Sequence, residues 1–370
     1  MAPTSDIRFW GVCMLTALFY LTAVTVHYSS KHKKVFTANT STKIILDWTG
    51  FYHRPMAEAF ADLISACDPS PPCLVSSDRK LLNESAAVVF HLPDTAWDLE
   101  DRPSQRKPAQ RFVLFSFESP LNTMLDLSVA GNYFNWTMSY RTDSDVWFPH
   151  GFFVPRETRL SKKPVQLGTK TKLIAWFASH CVTSSRRERY VQALANHVQV
   201  DTYGSCGSNY SCPKSNWPHC QQLLNNYKFY LAFENSICTD YITEKFFLNA
   251  LHYDVVPIVL RGKDYSRIAP PHSYIAADQF DSVAALANYL RYLNQNATAY
   301  SQYFEWKSNY TLINGFQYKG AHFCQLCTML HSDLAPKTLQ SAEHWWNDAG
   351  DCEDEFALKL LKRQEKGFEA

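Results

Sequence analysis

The sequence predicts an α/β fold of two domains. Short apolar runs bounded by polar or Pro-containing segments read as buried parallel strands. In the second half such runs alternate with a helical stripe at βαβ spacing. The length, 370 residues, suits about two domains. At 46% hydrophobic and 19% charged, the chain can bury large cores.

The first element is an apolar span. Phe9 to Tyr28 lacks Asp, Glu, Lys and Arg. Its 20 residues would reach ~30 Å as a helix, one bilayer core. A cleaved signal peptide is the competing reading, but an h-region is shorter and no small-x-small site follows. We read a signal anchor after a cytosolic tail, residues 1–8. Lys31, Lys33 and Lys34 follow the span and only Arg8 precedes it, which alone would leave the N-terminus outside. Six N-x-[ST] sequons, at Asn39, Asn83, Asn135, Asn209, Asn296 and Asn309, oppose that. So do the ten of the 11 cysteines that lie beyond Cys13. The bulk of the chain is therefore expected in an oxidising lumen.

Residues 29–42 are polar and aperiodic, a short stem. From Lys43, "KIILDW", "AAVVFHL" (86–92) and "RFVLFSF" (111–117) read as strands, with a long polar loop from Pro93 to Gln110. The second domain opens with the strand "TKLIAWFAS" (171–179). A helix follows, with its stripe at Tyr190, Val191, Leu194, Ala195 and Val198. Next come "VQVDTYG" (198–204), "KFYLAFE" (228–234), a helix near Thr243–His252 and "VVPIVL" (255–260). Pro257 in a central strand is a mild objection. The domains are expected at 43–165 and 166–315, with a C-terminal segment, 316–370, that returns to the first domain.

Composition excludes some classes. Net charge +1 argues against a nucleic-acid binder relying on phosphate neutralisation. Only 12 glycines occur, with no GxGxxG and no GxxxxGK[ST], which weakens both Gly-loop phosphate sites. No GxSxG is present.

Ligands of open α/β sheets bind beyond the carboxyl ends of the strands. Three groups stand there: Glu118, His180–Arg187 and Glu234–Lys245. Lys245 near a helix start, with free backbone N–H groups, can meet a phosphate, and Arg187 in a first helical turn can do so bidentately. Glu244 can accept from sugar hydroxyls. A plain surface pair of Glu244 and Lys245 remains the alternative. Glu118, ending an apolar strand before Pro120, suits a general base, or else a structural carboxylate. Asp143-Ser144-Asp145 looks like a DxD metal motif, a weak signal beside two cations already available. The CxxC of Cys324 and Cys327 reads as structural disulfides rather than a zinc or redox site.

"YKFYLAFENSICTDYITEKFFLNALHYDVVPIVL" resembles the signature of the α1,3-fucosyltransferases, inverting enzymes that use GDP-fucose. "FESP", "YRTDSD" with Pro149-His150-Gly151, and the terminal CxxC match further blocks in order. The resemblance runs from about Lys43 to Leu330. It implies a GT-B architecture, two Rossmann-like domains facing a cleft, the first for acceptor and the second for GDP-fucose. It implies Glu118 as general base, Arg187 and Lys245 on the diphosphate, and Asn235, Tyr241 and Glu244 lining the donor site. No metal is implied as obligatory, Mn²⁺ being at most stimulatory. It also implies that Cys324 and Cys327 pair with Cys67 and Cys73, in either order. The implied partners are GDP-fucose, a glycan bearing N-acetylglucosamine and the Golgi membrane, with a single-pass type II topology. The style is closer to the invertebrate and plant core-type branch. His91-Leu92-Pro93 departs from the His-His-Trp or His-His-Arg of Lewis-type enzymes. The acceptor stays open between core N-acetylglucosamine and antennal LacNAc or LacdiNAc. An inactive paralogue or a glycan-binding lectin on the same fold is the alternative function.

Overall fold

Residues 41–64, 72–95, 99–123, 125–159, 167–207, 212, 217–315, 319–332 and 335–366 are described by a computed structural model of the chain. The apolar span 9–28, Cys67 and the sequons at Asn39 and Asn209 lie outside them. Among the described residues no helix is long and apolar enough to cross a membrane. Contacts divide the chain after Ser41, and Thr42–Ala370 form one unit.

Two parallel sheets carry the fold. The first holds β1 (Lys43–Asp47), β2 (Cys73–Ser76), β3 (Ser85–His91), β4 (Arg111–Ser116), β5 (Trp136–Ser139) and β6 (Val146–Trp147), in the order β2-β1-β3-β4-β5-β6. Side chains alternate across it. Ile45, Val89, Val113 and Phe115 bury on one face, and Leu46, Val88, Phe90 and Leu114 on the other. Burial on both faces is why these strands read as continuous apolar runs. Helix α1 (Met56–Ile64) covers the first face with a late helix, Lys319–Ser332, through Phe60 and Phe323 (ring centroids 4.8 Å apart).

β7 (Gly151–Pro155) leads out of this lobe and pairs antiparallel with the much later Tyr310–Asn314. A Cβ on Gly151 would lie 2.4 Å from the Phe247 ring, so the link needs glycine for this close approach. The second sheet follows with β8 (Lys172–Phe177), β9 (Val200–Tyr203), β10 (Tyr227–Leu231), β11 (Val256–Val259) and β12 (Ile275–Ala276), in the order β12-β11-β10-β8-β9. Between β8 and β9 runs α2 (Arg187–Ala195), burying Tyr190, Val191 and Leu194; Ala195, expected in the stripe, is exposed. Pro257 is accommodated in β11. The Ile258 carbonyl accepts from Ala232 N, the residue after β10, so Pro257 turns its nitrogen toward β12, which pairs only from Ile258 onward. The helix expected near Thr243–His252 is a π-helical turn, Lys245–Ala250, closed by a 3-10 turn, Leu251–Tyr253.

The C-terminal segment does more than return to the first domain. Lys319–Ser332 and residues 335–346 do pack there: Leu339 N donates to Phe134 O, and Trp346 is buried beside Tyr140. Helix α3 (Val283–Gln295) lies on the second sheet, and against the same core sits the last helix, Phe356–Lys366. The expectation for 316–370 is corrected accordingly. The driving force is apolar: Phe356, Ala357 and Leu360 bury against Tyr190 and Leu194.

Candidate active site

The carboxyl ends of β4, β8 and β10 converge, and polar contacts among the described residues join the lobes there. Tyr241 Oη donates to Glu118 Oε2 at 2.9 Å. Ser119 Oγ donates to Ser236 Oγ at 2.8 Å. Asp240 accepts from the Thr142 amide and hydroxyl (3.0 and 2.6 Å), and His150 Nδ1 lies 3.7 Å from Glu244 Oε2.

Glu118 follows β4 and is half-buried. Besides Tyr241, it accepts from Tyr52 Oη (3.2 Å) and Asn122 Nδ2 (3.3 Å). Tyr52 sits in a turn whose residues Tyr52 and His53 both have positive φ, 50° and 64°. Asp94 holds that turn by accepting from both amides and from His91 Nδ1. Burial lowers the proton affinity of His91, against the pull of Asp94. Neither Tyr52 nor Asp94 was singled out by the sequence, because their roles depend on a turn 42 residues away in the chain.

Lys245 and Arg187 share a carboxylate in the second lobe: Glu234 supports the charge on both, and Arg187 opposes that on Lys245. Lys245 Nζ donates to Glu234 Oε2 (2.8 Å) and Thr243 Oγ1 (2.7 Å), while the adjacent Glu244 lies at 3.5 Å. The pair is therefore no surface couple: Glu234 is 2% exposed and is the closer carboxylate. Burial pushes Glu234 up, with Lys245 opposing. Burial also acts against the charge on Lys245, yet Glu234 and Glu244 outweigh it and hold the ammonium above its usual value. Glu244 is brought down to about 2, since Lys245 and His150 overcome the effect of burial. The expected free amides of the helix start are partly spent, because Thr243 O accepts from Phe246 N and Phe247 N. Side-chain charge carries this site.

Arg187 opens α2 as expected and is 3% exposed. Its Nη1 donates to Phe233 O at 2.6 Å, and burial disfavours its charge while Glu234 supports it. Its buried Nε has no hydrogen-bond partner among the described residues, nor has the buried Oδ1 of Asn235. Sequence reasoning placed Glu234 at the head of a candidate group but gave it no role. It ends an apolar strand just as Glu118 does.

The DxD carboxylates face chain cations. Asp143 forms a bidentate pair with Arg141 (2.9 and 2.6 Å), and Asp145 accepts from Thr137 and Lys337. Cys73 pairs with Cys327, and Cys324 is also disulfide-bonded. Three further bridges join Cys181–Cys206, Cys212–Cys220 and Cys238–Cys352. Of the described sequons, Asn83 and Asn309 are exposed and Asn296 caps a helix through Ala299 N. Asn135 is buried, its amide shared among Phe112 N, Arg106 and Lys337 O.

Two parallel-sheet lobes, with an acid in one and buried cations in the other, make an α/β protein with a polar cluster at the carboxyl ends of its strands. The fold is similar to that of an α1,3-fucosyltransferase crystallised with GDP (TM-score 0.54, 15% identity, 81% of this chain and 94% of that one). The fucosyltransferase N-terminal family matches residues 40–151, and the C-terminal family, glycosyltransferase family 10, matches 167–345. Alpha-(1,3)-fucosyltransferase C of Drosophila melanogaster is 36% identical over 353 residues (86% of this chain, 80% of that protein). The 3-galactosyl-N-acetylglucosaminide 4-alpha-L-fucosyltransferase FUT3 of Pan troglodytes is also 36% identical, over 326 residues (86% and 84%). The chain belongs to glycosyltransferase family 10, the fucosyltransferases.

Proposed function

We propose that the chain transfers L-fucose from GDP-β-L-fucose to the 3-hydroxyl of an N-acetylglucosamine in a glycoprotein glycan, with inversion, on a GT-B scaffold. The observation that supports this is the hydrogen bond of Tyr241 to Glu118, which ties the acid of the first lobe to the segment that carries Lys245, a cation whose charge Arg187 also bears on. The relatives' names support fucose transfer to such glycans. Their equal identities do not separate acceptor classes, so core N-acetylglucosamine and antennal LacNAc or LacdiNAc both stand.

In this reading Glu118 takes the hydroxyl proton as the acceptor oxygen attacks the anomeric carbon. The new C–O bond forms opposite the breaking bond to GDP, which leaves with the electron pair. Arg187 and Lys245 stabilise the charge growing on the diphosphate, an effect of several kcal/mol in enzymes of known mechanism. Asn235 and Glu244 are assigned to donor hydroxyls. No resident metal is assigned, Mn²⁺ being at most stimulatory; the engagement of Asp143 and Asp145 by Arg141 and Lys337 supports this. The proposed setting is the Golgi lumen behind a type II anchor, with which the disulfides agree.

The test is the full chain with GDP-fucose and a panel of the three acceptors, with EDTA or Mn²⁺, reading the product linkage. An α1,3 product formed in EDTA is expected. Glu118→Gln should lower turnover at least ~100-fold with GDP binding kept. Retained turnover in that variant removes Glu118 as base, and binding of the glycans without GDP release makes the protein a lectin.

A further inference from the structure

We propose that residues Gly350–Ala357, beyond residue 345 where the family match ends, form a strap that positions the donor-binding residues. The strap clips two loops at once. Thr239 N donates to Gly350 O (2.9 Å), Glu353 N donates to Ile237 O (2.7 Å), and Cys352 is bonded to Cys238. These three links hold the loop between Asn235 and Tyr241. Glu355 N donates to Ser184 O (2.7 Å), Ala357 N to Ser185 O (2.9 Å), and Glu355 Oε1 lies 3.4 Å from Arg186 Nε. These hold the loop that ends in Arg187.

Both loops lead to the cation pair. Arg187 follows the second clip directly. Lys245 is reached through Ser185, whose Oγ donates to Glu234 O (2.7 Å) and whose amide donates to Asn235 O (3.0 Å); Glu234 in turn holds Lys245. The backbone needs such restraint. Arg186, Asp240, Asp351 and Glu355 all have left-handed φ, at 56°, 60°, 44° and 55°. For Arg186 and Glu355, which lack the local side-chain hydrogen bonding that lets Asp adopt it, this region is uncommon and asks for restraint from the surroundings. The helix after the strap is itself anchored: Gln364 accepts from Tyr190 Oη (3.2 Å) and donates to Ala277 O and Phe280 O.

The strap is a positioning element for the donor, and the inference rests on the donor site proposed above. The test compares the full chain with Cys238→Ser/Cys352→Ser in steady-state kinetics on both substrates. The KM for GDP-fucose should rise at least fivefold, with the acceptor KM within twofold. A merely structural bridge would lower the active fraction, and so the apparent kcat, with both KM values unchanged; that result, or equal rises in both, overturns the strap. Should the double variant not fold, Gln364→Ala, which loosens the helix from Tyr190, is expected to give the same split, and unchanged KM values there overturn it equally. Lys245→Ala is run alongside. If it too leaves donor KM and GDP binding untouched, the donor-site reading fails and takes the strap with it. If it weakens the donor while the strap variants do not, the strap alone fails.

Discussion

Tyr241 and Glu118, 123 residues apart, meet in a 2.9 Å hydrogen bond that joins the Glu234–Lys245 segment of the second lobe to the acid of the first. Tyr241 is 4% exposed, and its ring is fixed by Tyr140 with centroids 5.1 Å apart. Its hydroxyl therefore cannot drift, and it sets the direction of Glu118. Tyr52, which binds the other carboxylate oxygen, is 43% exposed.

That difference in burial predicts different costs. Tyr241→Phe keeps the ring packing and removes one donor to a carboxylate. Hydrogen bonds to charged groups contribute about 1.5–3 kcal/mol, so a fall in kcat of about tenfold or more is expected. Tyr52→Phe should cost less than about threefold, because water replaces an exposed hydroxyl. Steady-state kinetics with saturating GDP-fucose checks both; equal losses would mean that Glu118 is not oriented from the buried side.

Glu234→Gln tests the carboxylate that holds Lys245. Glu234 is 2% exposed and the Lys245 side chain 15%, so the pair is largely out of water. Removing one partner of a buried pair costs about 3–5 kcal/mol, and the amide still accepts from Thr243, which places the expected loss near the lower figure. GDP affinity should fall with it, since Lys245 and Thr243 lose their common anchor. Urea unfolding and calorimetric titration with GDP measure the two effects. Unchanged affinity would leave Glu234 a purely structural group.

Glu234 also shows what was legible in the sequence. "RFVLFSFE" and "KFYLAFE" end alike, and the rule that ligands gather at carboxyl ends of strands picks out both acids. The main strands were legible because burial on both faces makes them continuous apolar runs. β6 and β12 were not, being two residues long, too short for any period to show, and β2 and β5, of four residues each, break their apolar pattern with Cys, Ser or Thr. The π-helical turn at Lys245 has the apolar content of an α-helix and reads as one. The strap was illegible for another reason. Its hydrogen bonds run from backbone to backbone across more than a hundred residues, and Cys238–Cys352 spans 114; neither leaves a local pattern.

Glu244 is one carboxyl through which acid should weaken the fold. Its ordinary value of 4.5 is brought down to about 2, because Lys245 and then His150 outweigh the opposing effect of burial. A carboxyl depressed in the folded state stabilises fully above its unfolded value, and that contribution is lost as pH falls toward the folded one. The window is thus from about 4.5 down to about 2. In Glu244→Gln the side chain is neutral throughout. The variant should be less stable than the natural chain near pH 6, and the two stability curves should converge as pH falls through this window. Urea unfolding at half-unit steps reads the difference. Parallel curves would show that Lys245 and His150 do not hold Glu244 in its charged form, and that the cluster is tied together through Glu234 alone.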